Sequence, residues 1–255
     1  MLSQGRVRLN GKPCKIARQE VLPGDTLEVG ERRSPAPQTH GIEILFEDDD
    51  LLVIHKPAGL LTVATPHERE RTAYAYLRGY LKDRDSKQKL FIVHRLDKFV
   101  SGLLVFAKSE GVKAALQIQF QKHTILRKYW AIVGGRVEKD RGTIQSHLAE
   151  DRSKRMRSTQ DTAGGKRAVT HYRVHRRFST VTALEVILET GRKNQIRVHL
   201  SELGHPVIGD QTYGSTINPI GRMGLHAFCL GFVHPRTKSQ LHFQTDPPAE
   251  FSRYL

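Results

Sequence analysis

Between residues 42 and 244 the chain reads as a series of short apolar runs with few helical patterns among them, and the two do not alternate. A parallel sheet needs a crossover, usually a helix, between successive strands. Without that alternation the expected fold class is α+β: a mixed, mostly antiparallel β-sheet with flanking helices.

The runs can be placed one by one. Ile-Glu-Ile-Leu-Phe at 42–46 and Leu-Leu-Val-Ile-His at 51–55 are strands that predict a hairpin across the acidic turn Glu47-Asp48-Asp49-Asp50. Clustered acids look like a metal site at first sight, but aspartates at turns satisfy their own backbone, and the turn explains them. Tyr76, Leu77 and Tyr80 have helical spacing within residues 72–82. Ser109 offers an N-cap for a helix to about residue 123, with Val112, Ala115, Leu116 and Phe120 on one face. Strands follow at 126–134 and 142–147, then at 169–174 and 181–188 as an antiparallel pair. Between them, the stretch from Arg152 to Arg157 and the pair Lys166-Arg167 read as a basic loop off the core. Residues 194–203 predict a helix with Ile196, Leu200 and Leu203 inward and Gly204 just past its end. Strands at 225–233 and 240–244 close the sheet.

The first residues are of another kind. Residues 5–12 alternate and turn at Asn10-Gly11, a strong hairpin signal, and residues 21–29 read as a turn and a short strand. This stretch resembles the C-terminal half of the αL-type RNA-binding domain. The two helices that precede this half in that domain have no counterpart here, so a truncated αL-type RNA-binding fragment is expected. Pro35 and Pro37 mark a linker over residues 31–40. The expected division is a partial fragment and linker at residues 1–36 and a main domain at 37–255.

Composition narrows the partners. Of 255 residues 38% are hydrophobic, enough for a core and against wholesale disorder. Lys and Arg total 41 against 26 for Asp and Glu, a net charge of +15. Such a field attracts polyanions, and nucleic acid is the first partner to consider. The two cysteines, Cys14 and Cys229, lie far apart, and neither they nor the 13 histidines show disulfide or zinc spacing. No signal-peptide pattern or bilayer-length apolar run occurs, so a cytoplasmic protein with no membrane partner is expected, a monomer by default.

One polar stretch stands out. Phe91-Ile92-Val93 leads into His94-Arg95-Leu96-Asp97, and Ser101-Gly102 opens a longer apolar run to Ala107. Charged residues between two buried strands cost solvation. Taken alone, the stretch is equally well a surface turn with an ordinary Arg-Asp pair. Three other stretches decide: Lys56-Pro57-Ala58-Gly59 after a strand, Arg127-Lys128-Tyr129 at the start of one, and residues 190–199, Thr-Gly-Arg-Lys-Asn-Gln-Ile-Arg-Val-His. With Gly209-Asp210-Gln211-Thr212-Tyr213-Gly214, Leu225-His226-Ala227 and Phe232-Val233-His234-Pro235, the set resembles the RNA pseudouridine synthases of the RluA type, over residues 42–251.

The resemblance implies that residues 37–255 are a catalytic domain that isomerises uridine in RNA to pseudouridine. The bond from uracil nitrogen 1 to the ribose is cut, and the base is rejoined through carbon 5. No atom is gained, so no cofactor is expected, and no dinucleotide fingerprint or phosphate-binding Gly-Lys-Ser loop occurs. Asp97 would be the nucleophile, held rigidly by a loop between strands. Burial would raise its pKa, and Arg197 would offset this as an ion-pair partner. Tyr129, in a strand otherwise an ordinary packing residue, would stack on the extracted uracil. Arg95, with His94 beside it, would enter the space that the flipped nucleotide leaves. Ile196, equally a core residue of its helix, would line the base pocket with Leu96. Lys56, Arg155, Arg157, Lys166, Arg167 and Arg192 would contact RNA, mainly at phosphates. Large-subunit ribosomal RNA is the expected target and transfer RNA the alternative.

Three positions depart from the pattern. Val100 stands where Thr is common before Ser-Gly, Asn194 where His is common before Gln-Ile-Arg, and Lys98-Phe99 replaces a commoner charged pair. They bear on the target site more than on activity. A competing reading is a non-catalytic RNA-binding ribosome-assembly factor on the same fold. Binding alone, however, needs no Asp97, Tyr129 and Arg197 together. A glycosidase would need two cooperating carboxylates.

Overall fold

The computed structural model describes residues 7–14, 19–22, 24–29 and 40–255. The chain divides into two units, Met1–Gln38 and Thr39–Leu255. In the first, β1 (Val7–Leu9) and β2 (Lys12–Pro13) form the hairpin expected at Asn-Gly. Asn10 and Gly11 take φ of 51° and 77°, the paired positive values of a type I′ turn. β3 (Leu27–Val29) pairs antiparallel with β1, giving the order β2-β1-β3. The expected linker, His40 apart, lies outside the described residues.

The second unit runs β4 (Glu43–Glu47), β5 (Leu51–Lys56), α1 (Ala73–Arg84), β6 (Phe91–Ile92), β7 (Ser101–Ala107) and α2 (Glu110–Gln121). It continues with β8 (Leu126–Gly134), β9 (Arg141–Glu150), β10 (Met156–Thr159), β11 (Lys166–Arg177) and β12 (Val181–Leu188). α3 (Gln195–Glu202), β13 (Leu225–Val233) and β14 (Gln240–Gln244) complete it. Among the described residues these strands make one sheet, in the order β10-β9-β11-β12-β8-β13-β7-β5-β4, with β14 on β13 and β6 on β7. The β13–β7 pairing is parallel and the others are antiparallel. This is the mixed, mostly antiparallel sheet expected.

The two-residue period of a strand explains why β5 and β7 are continuous apolar runs. Leu52, Ile54, Leu104 and Phe106 point to one face and belong to the main buried cluster, which also takes in Leu77 and Leu81 of α1 and Ile196 and Leu200 of α3. Leu51, Val53, Leu103 and Val105 point to the other, against Val112 and Leu116 of α2. Each fully buried Leu or Phe there contributes about 1.5–3 kcal/mol relative to exposure. The helices start where capping side chains allow. Thr72 Oγ1 accepts from the Ala75 amide at 3.0 Å, and Ser109 Oγ accepts from Val112 at 3.2 Å. Gly102, with φ of 121°, lies so close to β13 that a Cβ would sit 2.1 Å from the Ala227 oxygen. Only glycine lets the two parallel strands meet there.

Three expectations need correction. The basic stretch is a loop only in part: Arg152, Lys154 and Arg155 lie in the turn between β9 and β10, but Met156–Thr159 pairs with β9, and Lys166 and Arg167 begin β11. The second turn of the stretch, 160–165, carries no basic residue. Strand β9 is longer than expected, because it spans both neighbours. Leu203 is exposed at the end of α3, not inward. The acidic turn is a fastening. Asp48 Oδ1 accepts from the amides of Asp50 and Leu51 at 2.8 and 2.7 Å, and His234 Nε2 lies 2.9 Å from Asp48 Oδ2. These ligand-type atoms of Asp48, Asp50 and His234 lie within 4.8 Å of one another. Arg236 Nε sits among them, 2.5 Å from Asp50 Oδ2.

Candidate active site

Asp97 sits on the loop between β6 and β7, and that loop is clamped along its length. Thr62 bonds both sides of Leu96: its Oγ1 donates to the Leu96 oxygen at 2.7 Å and accepts from the Leu96 amide at 3.1 Å. The Lys98 oxygen accepts from the Gly59 amide at 2.9 Å and from Lys56 Nζ at 3.3 Å. The Val100 amide donates to the Asp97 oxygen at 3.2 Å, and Val100 itself is buried in the main core. Valine has nearly the shape of threonine, so that departure keeps the packing and removes only a hydroxyl.

The carboxylate faces α3. Arg197 Nη1 is 3.0 Å from Asp97 Oδ2, while Nε and Nη2 form a fork on Asp210 at 2.6 and 2.9 Å. The Asp97 side chain is 21% exposed, Arg197 10% and Asp210 1%. Burial opposes the charge on Arg197, but the Asp210 hydrogen bonds and the charges of Asp210 and Asp97 outweigh it, so its pKa is raised. Asn194, in the left-handed region at φ 55°, accepts from Arg197 Nη1 at 3.1 Å and donates to the Tyr213 hydroxyl at 3.0 Å. The Tyr213 ring lies under the guanidinium at 4.8 Å. Asparagine tolerates that backbone well and supplies both bonds, a physical account of its place before Gln195. Gln195 is buried with its amide saturated. It accepts from Thr190 Oγ1 and the Arg192 amide and donates to Val169 and Thr170, which fixes the loop ahead of α3.

Two clefts meet at this ion pair. The first, about 520 Å³, is lined by Asp97, Tyr129, Arg127, Ile196, Leu96 and Arg192, among others. The second, about 600 Å³, shares Arg95, Leu96, Asp97, Asn194 and Arg197 with it and carries the exposed Phe99 on its wall. Tyr129 is buried beside Asp97; desolvation raises its pKa, so its hydroxyl stays protonated. Arg95 and Arg192 are exposed at the rim. Arg155, Arg157, Lys166 and Arg167 are exposed on the β9–β10–β11 extension, and Arg192 Nε donates to the Arg167 oxygen at 3.0 Å.

Two expected RNA contacts are placed otherwise. Lys56 is fully buried, and its ammonium donates to the oxygens of Pro57, Leu60 and Lys98. It ties the Pro57–Leu60 turn to the Asp97 loop and cannot reach a phosphate. Burial, against the pull of Asp97, brings its pKa down to about 7. Between pH 7 and 10.5 the unfolded chain therefore binds a proton that the folded chain lacks, and stability from this group rises with pH. Lys56→Met should flatten the rise in urea midpoint between pH 7 and 9; an unchanged slope would contradict the assignment. His94 Nε2 accepts from the Val105 amide at 3.2 Å, and burial, with Arg127 nearby, lowers its pKa to about 3. It is a neutral member of the cleft wall, with its ring 4.8 Å from that of Phe120. Sequence reading gave no role to Asp210 or Arg127, although both stand in stretches that it singled out.

The model of the family described as RNA pseudouridylate synthase matches residues 50–202. The chain belongs to the RNA pseudouridylate synthase family. It is 36% identical over 263 residues to the uncharacterized RNA pseudouridine synthase YlyB of Bacillus subtilis (strain 168), covering 100% of this chain and 86% of that protein. It is 38% identical over 228 residues to ribosomal large subunit pseudouridine synthase D of Zymomonas mobilis, covering 84% and 72%. Among solved structures, human RNA pseudouridylate synthase domain containing 4 superposes with a TM-score of 0.68 at 24% identity, over 83% of this chain and 92% of that one. Human RNA pseudouridylate synthase domain containing 1 gives 0.65 at 26%, over 84% and 86%. The resemblance drawn from the motifs is borne out: this pseudouridine synthase is an isomerase acting on RNA. No helix among its described residues is long and apolar enough to cross a membrane.

Proposed function

We propose that this pseudouridine synthase modifies uridines of large-subunit ribosomal RNA, with Asp97 as the nucleophile. The observation that carries the chemistry is the Asp97–Arg197–Asp210 chain of ion pairs where the two clefts meet. A carboxylate held this way is fixed in place beside a guanidinium, as attack requires. Its attack on the nucleotide, at the sugar or at base carbon 6, leads to cleavage of the bond between uracil nitrogen 1 and the ribose. The base turns and carbon 5 joins the sugar; the bond to Asp97 breaks, carbon 5 loses its proton and nitrogen 1 takes one up, so that atoms balance. The Tyr129 ring covers the base, with Ile196 and Leu96 completing the pocket. Arg95 fills the vacated stack, where a planar guanidinium both stacks and hydrogen-bonds. Arg155, Arg157, Lys166, Arg167 and Arg192 hold phosphates and position the RNA without reading it. The target rests on relatives named ribosomal large subunit pseudouridine synthase D, 33–38% identical to this chain. We further propose that the enzyme acts in the cytoplasm, with a monomer as the default state. Pseudouridine maps of total RNA from cells with and without the gene test the target. Loss at positions in large-subunit ribosomal RNA is expected; loss confined to transfer RNA would overturn it.

A further inference from the structure

We propose that Arg127 binds a phosphate of the flipped uridine nucleotide. The proposal rests on the pseudouridine synthase reading and adds a substrate contact to it. Arg127 lies two residues before Tyr129 on β8, so the two side chains share a face of the strand, and both line the first cleft. Arg127 is 7% exposed, yet no carboxylate pairs with it among the described residues. Its Nη2 donates to the oxygens of Leu188 and Glu189 at 3.4 and 3.2 Å, and the guanidinium stands over the Phe120 ring at 5.2 Å. Nε is buried with no partner. A buried cation held only by neutral groups is poorly compensated, and a full negative charge compensates it best. In an RNA complex that charge is a phosphate, which matches the planar donors of arginine.

A second observation points the same way. A Cβ on Gly191 would lie 2.4 Å from Arg127 Nη1. The glycine ahead of the α3 motif thus leaves room for the guanidinium, and the loop is shaped around it. A neutral uracil oxygen would leave the charge unbalanced, so the phosphate is favoured over the base.

The test uses a synthetic stem-loop around a uridine found by the mapping, with each flanking phosphate replaced in turn by an uncharged methylphosphonate. One replacement should lower kcat/KM of the wild-type enzyme about 10- to 100-fold. Arg127→Gln should cost about as much on unmodified RNA, and the two changes together should cost no more than either. Gly191→Ala, which displaces the guanidinium, should reduce the same sensitivity. Additive losses, or wild-type indifference to both methylphosphonates, would overturn the proposal even if Arg127→Gln folds poorly. Absence of pseudouridine in unmodified RNA with wild-type enzyme would instead sink the functional reading.

Discussion

Asp97→Asn should lower isomerisation by at least about four orders of magnitude, the scale on which loss of a catalytic nucleophile acts. The amide has nearly the same shape and still accepts from Arg197 Nη1, which is 3.0 Å from the carboxylate. The loop stays clamped by Thr62, Gly59 and Lys56, none of which touches the carboxylate. Folding and RNA affinity should therefore survive, with a dissociation constant within about threefold of wild type, because phosphate contacts dominate affinity. Filter binding and product analysis on the same RNA separate the two effects. Parallel loss of binding and activity would make Asp97 a structural residue.

The second large effect is expected at Arg197. Arg197→Met removes the partner of Asp210, which is 1% exposed, and leaves that carboxylate buried and unpaired. Breaking such a pair from one side costs about 3–5 kcal/mol. For a chain of this size the melting temperature should fall by roughly 6–20 °C. Activity should fall too, since Asp97 loses its cation. Arg197→Lys keeps the charge but not the fork on Asp210 and should lie between. A melting temperature within about 2 °C of wild type for Arg197→Met would show that the ion-pair chain does not hold α3 to the Asp97 loop.

Local signals made most of the frame readable in advance. The Asn10-Gly11 hairpin, the Ser109 cap and the continuous apolar runs of β5 and β7 each depend on neighbours within a few residues. Strand β10 escaped because Met156-Arg157-Ser158-Thr159 buries a single side chain. Its pairing with β9, rather than any pattern of its own, makes it a strand. Lys56 escaped for a related reason. The sequence shows a cation at the end of a strand, but not that oxygens from Pro57, Leu60 and Lys98 converge on it. At the site, Asp97, Tyr129 and Arg197 were legible through motifs that lie far apart in the chain. The fork on Asp210 was not, because it joins α3 to the segment after it, and only the fold sets that distance. Arg127 was hidden because burial without a counter-charge is a property of the packed cleft.

The most direct measurement is release of the carbon 5 hydrogen from ribosomal RNA labelled at that position in its uridines. Wild-type enzyme should release it in step with pseudouridine formation, and Asp97→Asn should release none above background. Release undiminished by Asp97→Asn, or none from wild type on any labelled ribosomal RNA, would contradict the account.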